Sequence, residues 1–225
     1  MQRFIANLTM AAISFAGTAA TAALSSANSP VFGQATLTRD IVQGLDWLTP
    51  NVTVGLSFDQ VQNLLTTDQR FAGFRVASLG ELQTLYSEAG ILDINAPGFG
   101  ALYGTQTNVP GVKLLQSLIG TTYSATVSGQ QIAETAGFLG TSFVSPINGF
   151  LSVNIGNVVL RENVPTQSGH ESFASAYTTW GSLPLGAQTA GVGTWLVTVV
   201  PEPSSWLLLS IGLVIIIRQR WRVGA

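Results

Sequence analysis

The chain has 225 residues, of which 46% are hydrophobic and 9% are charged, and it contains no cysteine. The length fits one domain with processing segments, and the lack of cysteine excludes disulfides, thiolate metal sites and a thiol nucleophile. Between Leu24 and Val200, five basic residues stand against ten acidic ones, a net charge of −5. Such a body lacks the basic patch that nucleic-acid binding normally needs.

The N-terminus has the composition of a secretory signal peptide. Arg3 is followed by a mildly apolar run and then by small residues, and Ala20-Thr21-Ala22 matches an A-x-A cleavage site. We therefore predict that signal peptidase removes residues 1–22 and that the exported body comprises residues 23–200. The alternative, an N-terminal helix of the fold, lacks the apolar periodicity of an amphipathic face.

Capping boxes predict two helices in the first half of the body. Ser57 is followed three residues later by Gln60, and Ser78 is followed in the same way by Glu81. After the second box, apolar residues recur at helical spacing, and Gly90 suits the position just beyond the helix end. A third short helix is predicted for the segment VKLLQSLIG.

Other segments of the body have strand-like patterns. ATLTRDIVQGLDWL, FLSVNIGNVVLRE and GTWLVTVV are predicted as strands, with Gly156-Asn157 as a turn and GTWLVTVV as the last strand of the domain. The region from Asn95 to Pro110 is rich in Gly, Pro and Asn and is predicted to be an ordered long loop. Together the patterns predict a single α+β domain with an antiparallel sheet and two to three short helices.

The sequence predicts structural or binding roles for several aromatic and charged residues. Trp47 is predicted to anchor the core, and Arg75 is expected to pair with a carboxylate such as Asp46. Tyr177 and Trp180 lie in the Gly/Ser-rich segment ASAYTTWGSLPLG, where we expect exposed loop aromatics. Because an aromatic face can bury the C–H surface of a sugar ring, these two residues are the candidate glycan-stacking site.

The sequence offers little for catalysis. His170, the sole histidine, lies beside Glu171, and Ser168 or Ser172 could serve as a nucleophile. Neither serine has the Gly-x-Ser-x-Gly elbow, and adjacent strand residues point to opposite faces. One histidine cannot form a multi-histidine metal site, and no Asp-x-Asp-x-Asp calcium loop is present. We therefore predict no catalytic residue, no metal site and no cofactor.

The C-terminal segment contains a short apolar run. Fourteen uncharged residues extend from Ser204 to Ile217, and a helix of that length reaches about 21 Å, short of the ~30 Å hydrocarbon core of a bilayer. Trp206 and Trp221 flank the run as interfacial aromatics do, and a cluster of cations follows it. The cluster consists of Arg218, Arg220 and Arg222.

Such cations stop translocation and stay cytoplasmic, so the sequence predicts a short transmembrane helix with the body outside the cytoplasm. The rival interpretation, a buried core helix, does not account for three arginines and an indole at its end.

Pro201-Glu202-Pro203 separates the body from the apolar run. Neither proline has an N–H, and each pushes its predecessor toward extended geometry. The tripeptide is therefore predicted to be an extended segment just outside the bilayer, a shape that a protease cleft can accept as a strand.

Pro201-Glu202-Pro203, the run that contains Trp206 and the arginines at 218, 220 and 222 together resemble the PEP-CTERM sorting signal of Gram-negative bacteria. The resemblance covers residues 201–225. It implies recognition by an exosortase, a membrane-embedded cysteine transpeptidase that cuts near the motif and releases the body or attaches it at the cell surface. It also implies an association with exopolysaccharide production.

A second resemblance covers residues 40–90 and 170–200. GLDWLTPNVTVGLSFDQVQ, FAGFRVASLGELQTLY and GTWLVTVV are similar to Lcl-type C-terminal domains, which have a C-type-lectin-like fold. The Glu-Pro-Asn and Trp-Asn-Asp triplets and the disulfide cysteines of lectins are missing, so the resemblance implies the fold without a calcium-dependent sugar site.

The sequence therefore favours an exported, non-catalytic cell-surface or matrix protein that passes through the inner membrane. Its expected partners are signal peptidase, an exosortase, that membrane transiently and exopolysaccharide, with no nucleic acid. Three alternatives stay open: a carbohydrate-binding module on a C-type-lectin-like scaffold, a hydrolase, and a permanently anchored single-pass protein.

Overall fold

The computed structural model describes residues 23–92, 104–144, 151–179 and 183–200. These residues form one α+β body with two sheets and three α-helices. In chain order the elements are β1 (Leu24–Ser29), β2 (Gly33–Asp40), β3 (Leu45–Leu48), α1 (Phe58–Thr67), β4 (Arg75–Val76), α2 (Leu79–Glu88), α3 (Val109–Ile119), β5 (Tyr123–Val127), β6 (Gln130–Val144), β7 (Leu151–Thr166), β8 (Gly169–Thr179), β9 (Val192–Thr194) and β10 (Leu196–Val199).

The first sheet is antiparallel and has the strand order β1-β2-β3-β10-β4. The last strand of the body lies inside this sheet, where Leu196 pairs with Leu48 on one side and with Val76 on the other. The end of the body is thereby fixed between strands that occur more than a hundred residues earlier.

The second sheet corrects the prediction of a single sheet. Strands β5, β6, β7 and β8 form an antiparallel meander, and β9 pairs with β6 in parallel. The segment GTWLVTVV, predicted as one strand, contributes β9 to this sheet and β10 to the first. The chain passes between the two sheets at Trp195.

Trp195 occupies the centre of the core. Its backbone N–H donates to Phe138 O at 3.0 Å, and its carbonyl accepts from Ala77 N at 2.8 Å. The indole ring makes edge contacts with Trp47 and Tyr86, at centroid distances of 6.1 and 6.4 Å. All three aromatic side chains are fully buried, so the prediction that Trp47 anchors the core is confirmed.

The predicted turn at Gly156-Asn157 is wrong, because both residues lie in the middle of β7. Gly156 pairs with Gly137 of β6 and accepts a hydrogen bond from the indole Nε1 of Trp195 at 2.9 Å. A Cβ atom at position 156 would lie 2.1 Å from Leu82 Cδ2 and 3.1 Å from Trp195 Nε1. The glycine therefore makes room for packing and does not mark a change of direction.

All three predicted helices are present. Both capping boxes form, with the side chains of Ser57 and Ser78 accepting from the backbone N–H groups of Gln60 and Glu81. Gly90, at φ +83°, follows α2 in the left-handed conformation expected of it. The predicted loop from Asn95 to Pro110 ends earlier than expected, since α3 begins at Val109; residues 93–103 lie outside the described residues.

In the described ranges, the three helices are all too short to cross a membrane. The predicted signal peptide and the predicted transmembrane run lie outside those ranges.

Candidate functional site

The predicted processing motif follows directly on the end of the first sheet. Residues 201–225, with Pro201, Glu202, Pro203, Trp206 and the three arginines, lie outside the described residues. The residue before them, Val200, donates its backbone N–H to Gly44 O at 2.9 Å. The backbone hydrogen bonds of the body therefore extend to Val200, the residue before Pro201.

A group of polar and aromatic side chains shares one face of the second sheet. Tyr123 lies opposite Glu134 in the β5–β6 pair, and Asn157 lies opposite Tyr177 in the β7–β8 pair. In the β6–β7 pair Glu134 lies opposite Val159, which is midway between Asn157 and Arg161 on β7. Because strand side chains alternate between faces, all five lie on the same side, which we call the polar sheet face.

The groups of the polar sheet face interact electrostatically. Partial burial raises the pKa of Glu134, and the charge of Arg161 opposes this rise. Burial also raises the pKa of Tyr177, aided by the charge of Glu134, whereas a hydrogen bond with Asn157 and the charge of Arg161 act in the opposite direction. These shifts follow from one cluster of groups that is partly withdrawn from water.

Tyr177 differs from its expected setting. It was predicted as an exposed loop aromatic, but it lies in β8 and is half-buried. The neighbouring Ala174 and Ala176 are buried on the opposite face, against α3 and the main core. The small residues that suggest a loop are therefore the inward positions of a strand. Trp180 lies outside the described residues.

The polar sheet face has binding groups of several kinds. Glu134 provides an acceptor, Arg161 provides a planar set of donors, and Tyr123 and Tyr177 provide rings with hydroxyl groups, whereas Asn157 is buried opposite Tyr177. Glu134 is the carboxylate near Tyr123 and Arg161 in this face, and Glu171 lies on the same side of β8, nearer the β7–β8 turn. The arrangement is suited to hydrogen bonding and stacking with a hydroxyl-rich ligand.

The residues considered for catalysis have other partners. Glu171 accepts from Ser168 Oγ and from Gln106 Nε2, both at 2.6 Å. His170 is exposed and pairs through its backbone with Pro165 in the β7–β8 hairpin. Across the part of the chain that the structure describes, no three His, Asp or Glu residues are grouped so that they could hold a metal ion.

Arg75 pairs with a carboxylate, as predicted, but the partner is Glu81 and not Asp46. Arg75 binds Glu81, the acidic residue of the α2 capping box, with Nη1 at 2.9 Å from Oε2. Asp46 instead accepts two hydrogen bonds of 2.9 Å from Arg39, which lies directly opposite it on β2. In both cases the arginine binds a carboxylate that is close in sequence, six residues away for Arg75 and seven for Arg39.

One acidic pair could not be inferred from the sequence. Asp40 is fully buried and accepts from the backbone N–H groups of Val42 and Gln43, at 3.0 and 2.8 Å, and from Gln43 Nε2 at 2.6 Å. Burial raises the pKa of Glu88, at the end of α2, to about 7, and the charge of the neighbouring Asp40 raises it further. The two residues meet because the β2–β3 turn lies beside α2, where Gln43 Nε2 also donates to Glu81 O at 3.2 Å.

Comparison of the chain with protein-family models, with curated proteins and with solved structures finds no match. Functional inference therefore depends on the residues and geometry of this chain.

Proposed function

We propose that the chain is an exported, non-catalytic cell-surface or matrix protein that an exosortase processes at Pro201-Glu202-Pro203. The ordered series of this motif, the apolar run 204–217 and the terminal arginines carries the proposal. The protein stays in the inner membrane until the cut, and the body then becomes part of the cell surface or of the exopolysaccharide matrix.

The position of the motif relative to the fold supports this proposal. Strand β10 ends at Val199, and Val200 makes the adjoining hydrogen bond to Gly44. A cut at or after Pro201 removes no described strand, helix or core residue. The body can therefore keep its fold when the tail is removed, as a sorting substrate must.

The two prolines provide the direct test. We expect that Pro201→Ala with Pro203→Ala leaves the body folded and stops processing, because the segment loses its fixed extended geometry. The measurement is the electrophoretic mobility of the exported form in a host with the matching enzyme. Pro165→Ala, a proline of the β7–β8 hairpin, is the control and should be processed normally. A mature form of unchanged size in the double variant contradicts the proposal.

The arginine cluster tests the transient anchor. Changing Arg218, Arg220 and Arg222 to Gln should shift the precursor from the membrane fraction toward the soluble fraction, because the stop-transfer charges are lost. Changing the same three residues to Lys keeps the charge and should preserve retention. Equal fractionation of the Gln and Lys variants would argue against an anchor of this kind.

The polar sheet face favours a second candidate function, binding of carbohydrate. Its ring and hydrogen-bonding groups suit a sugar, and exopolysaccharide is the expected environment of the protein. Glu134→Gln should weaken pull-down by the producer's own exopolysaccharide because an anionic acceptor is lost. Glu162→Gln, on the opposite face of β7, is the control and should bind normally. Equal retention of both variants on the polysaccharide counts against this function.

A further inference from the structure

Both processing segments join the body at the same place. Ala23, the first residue after the predicted signal peptide, accepts a hydrogen bond at 3.1 Å from the backbone N–H of Ile41. Val200, the last residue before the sorting motif, donates to Gly44 O at 2.9 Å. The β2–β3 turn, residues 41–44, therefore holds both ends of the body. We call this turn together with Val199 the terminal pole.

The terminal pole exposes apolar side chains. Ile41 is 47% exposed, Val42 65% and Val199 68%. Single exposed apolar residues are ordinary, but here three lie together at the point where the apolar segments attach. Turn residues 41–44 are Ile, Val, Gln and Gly, none of them charged.

The backbone N–H groups of Ile41, Val42 and Gln43 have partners within the protein. The N–H of Ile41 binds Ala23, and the N–H groups of Val42 and Gln43 bind Asp40, which is itself fully buried. Arg39, on the adjoining strand, is neutralised by Asp46 through two hydrogen bonds. Leaving water costs little for groups that are paired in this way, so the pole can approach lipid.

The connection to the apolar run is short. Four residue steps separate Val200 from Ser204, and even a fully extended chain spans only about 14 Å over that distance. When residues 204–217 lie in a bilayer, the terminal pole is thus held next to the headgroup layer. Before signal-peptide cleavage, residues 1–22 tether the same pole a second time.

We propose that the terminal pole lies on the lipid interface of the membrane while the precursor is anchored, with Ile41, Val42 and Val199 at headgroup level. The body then stands on the membrane with both cleavage sites at its base. This inference rests on the proposed function, since it requires that residues 204–217 enter the bilayer.

The absence of cysteine from the sequence gives a clean test. The full chain with Val42→Cys, labelled with a nitrobenzoxadiazole fluorophore, is incorporated into phosphatidylethanolamine–phosphatidylglycerol vesicles that carry a nitroxide on the lipid headgroup. The matched control is Val31→Cys, which is 52% exposed in the β1–β2 turn. That turn lies at the opposite end of the same strands, about 17 Å along β1.

We expect the nitroxide to quench the label at position 42 and to leave the label at position 31 bright. Flotation of the vesicles reports separately whether the tail inserts, and unfolding curves check that each variant is folded. Quenching at 42 alone, in protein that floats, supports the proposal.

Protein that floats but shows equal quenching at both positions, or none at 42, overturns the pole while leaving the anchor intact. Protein that does not float overturns the anchor and the pole together. A spectral change at position 42 that appears without lipid and grows with protein concentration assigns the pole to a second copy of the chain, and so also overturns the proposal.

Discussion

Replacing Gly156 by alanine tests whether Trp195 joins the two sheets as described. The added Cβ would lie 2.1 Å from Leu82 Cδ2, 3.1 Å from Trp195 Nε1 and 3.3 Å from the Tyr86 hydroxyl. The first distance is far below van der Waals contact, so Leu82 of α2 or the strand β7 must move. Movement of the indole would also strain its 2.9 Å hydrogen bond to Gly156 O.

The expected loss of stability has two sources. Overpacking of a well-filled core costs about 1–3 kcal/mol. Weakening the indole hydrogen bond adds ~1 kcal/mol, because the buried donor then lacks its acceptor. We therefore expect the free energy of unfolding of Gly156→Ala to fall by about 2–4 kcal/mol, and the melting temperature by roughly 4–16 °C for a domain of this size.

Urea and thermal unfolding of the body, followed by tryptophan fluorescence, measure this change. Gly140→Ala in β6 is the matched control, because its Cβ would meet no atom closer than the Ala77 carbonyl oxygen at 3.4 Å. The control should stay within about 0.5 kcal/mol of the unchanged protein. A Gly156→Ala variant that is as stable as the control would refute the packing of Leu82 and Trp195 over β7.

Two further predictions concern the helices. The pKa of folded Glu88 is raised to about 7, above its usual 4.5, so protonated Glu88 stabilises the folded state. This contribution to the free energy of unfolding is fully present below pH ~4.5 and is lost as the pH rises through 7. The full pKa difference corresponds to ~3 kcal/mol, and the partial exposure of Glu88 reduces the expected loss to about 1–2 kcal/mol. Glu88→Gln should remove this part of the pH dependence in urea unfolding at pH 5 and pH 8; equal pH dependence in both proteins would show that Glu88 does not titrate in this way. Ser57→Ala should lower the free energy of unfolding by about 1 kcal/mol, because the N-cap of α1 is lost. The control is Ser87→Ala on the exposed surface of α2. Equal stability of the two variants would speak against the cap.

The helices were predictable because their signals are local. Each capping box spans four consecutive residues, and both form with the predicted partners. The division into two sheets depends on pairings that the sequence does not encode locally. Strand β10 lies between β3 and β4, and β9 joins a different sheet from β10 although only Trp195 separates them. Gly156 shows the same limit, because its role depends on Leu82 and Trp195, both distant in sequence.

The polar sheet face could be predicted only in part. Tyr177 was identified as a candidate contact, but its strand and its partner Asn157 follow from the register of β7 and β8. A one-residue change of register would place these side chains on opposite faces, and the sequence pattern does not fix the register. Glu134 and Arg161 were missed for the same reason, since they join the face from separate strands.

Mass spectrometry of both ends of the exported protein tests the central proposal most directly. In a host with the matching exosortase, we expect mature protein that begins near Ala23 and ends near Pro201-Glu202-Pro203, with any attached group at the new C-terminus. Exported protein that still ends in Arg222-Val223-Gly224-Ala225 would contradict the account.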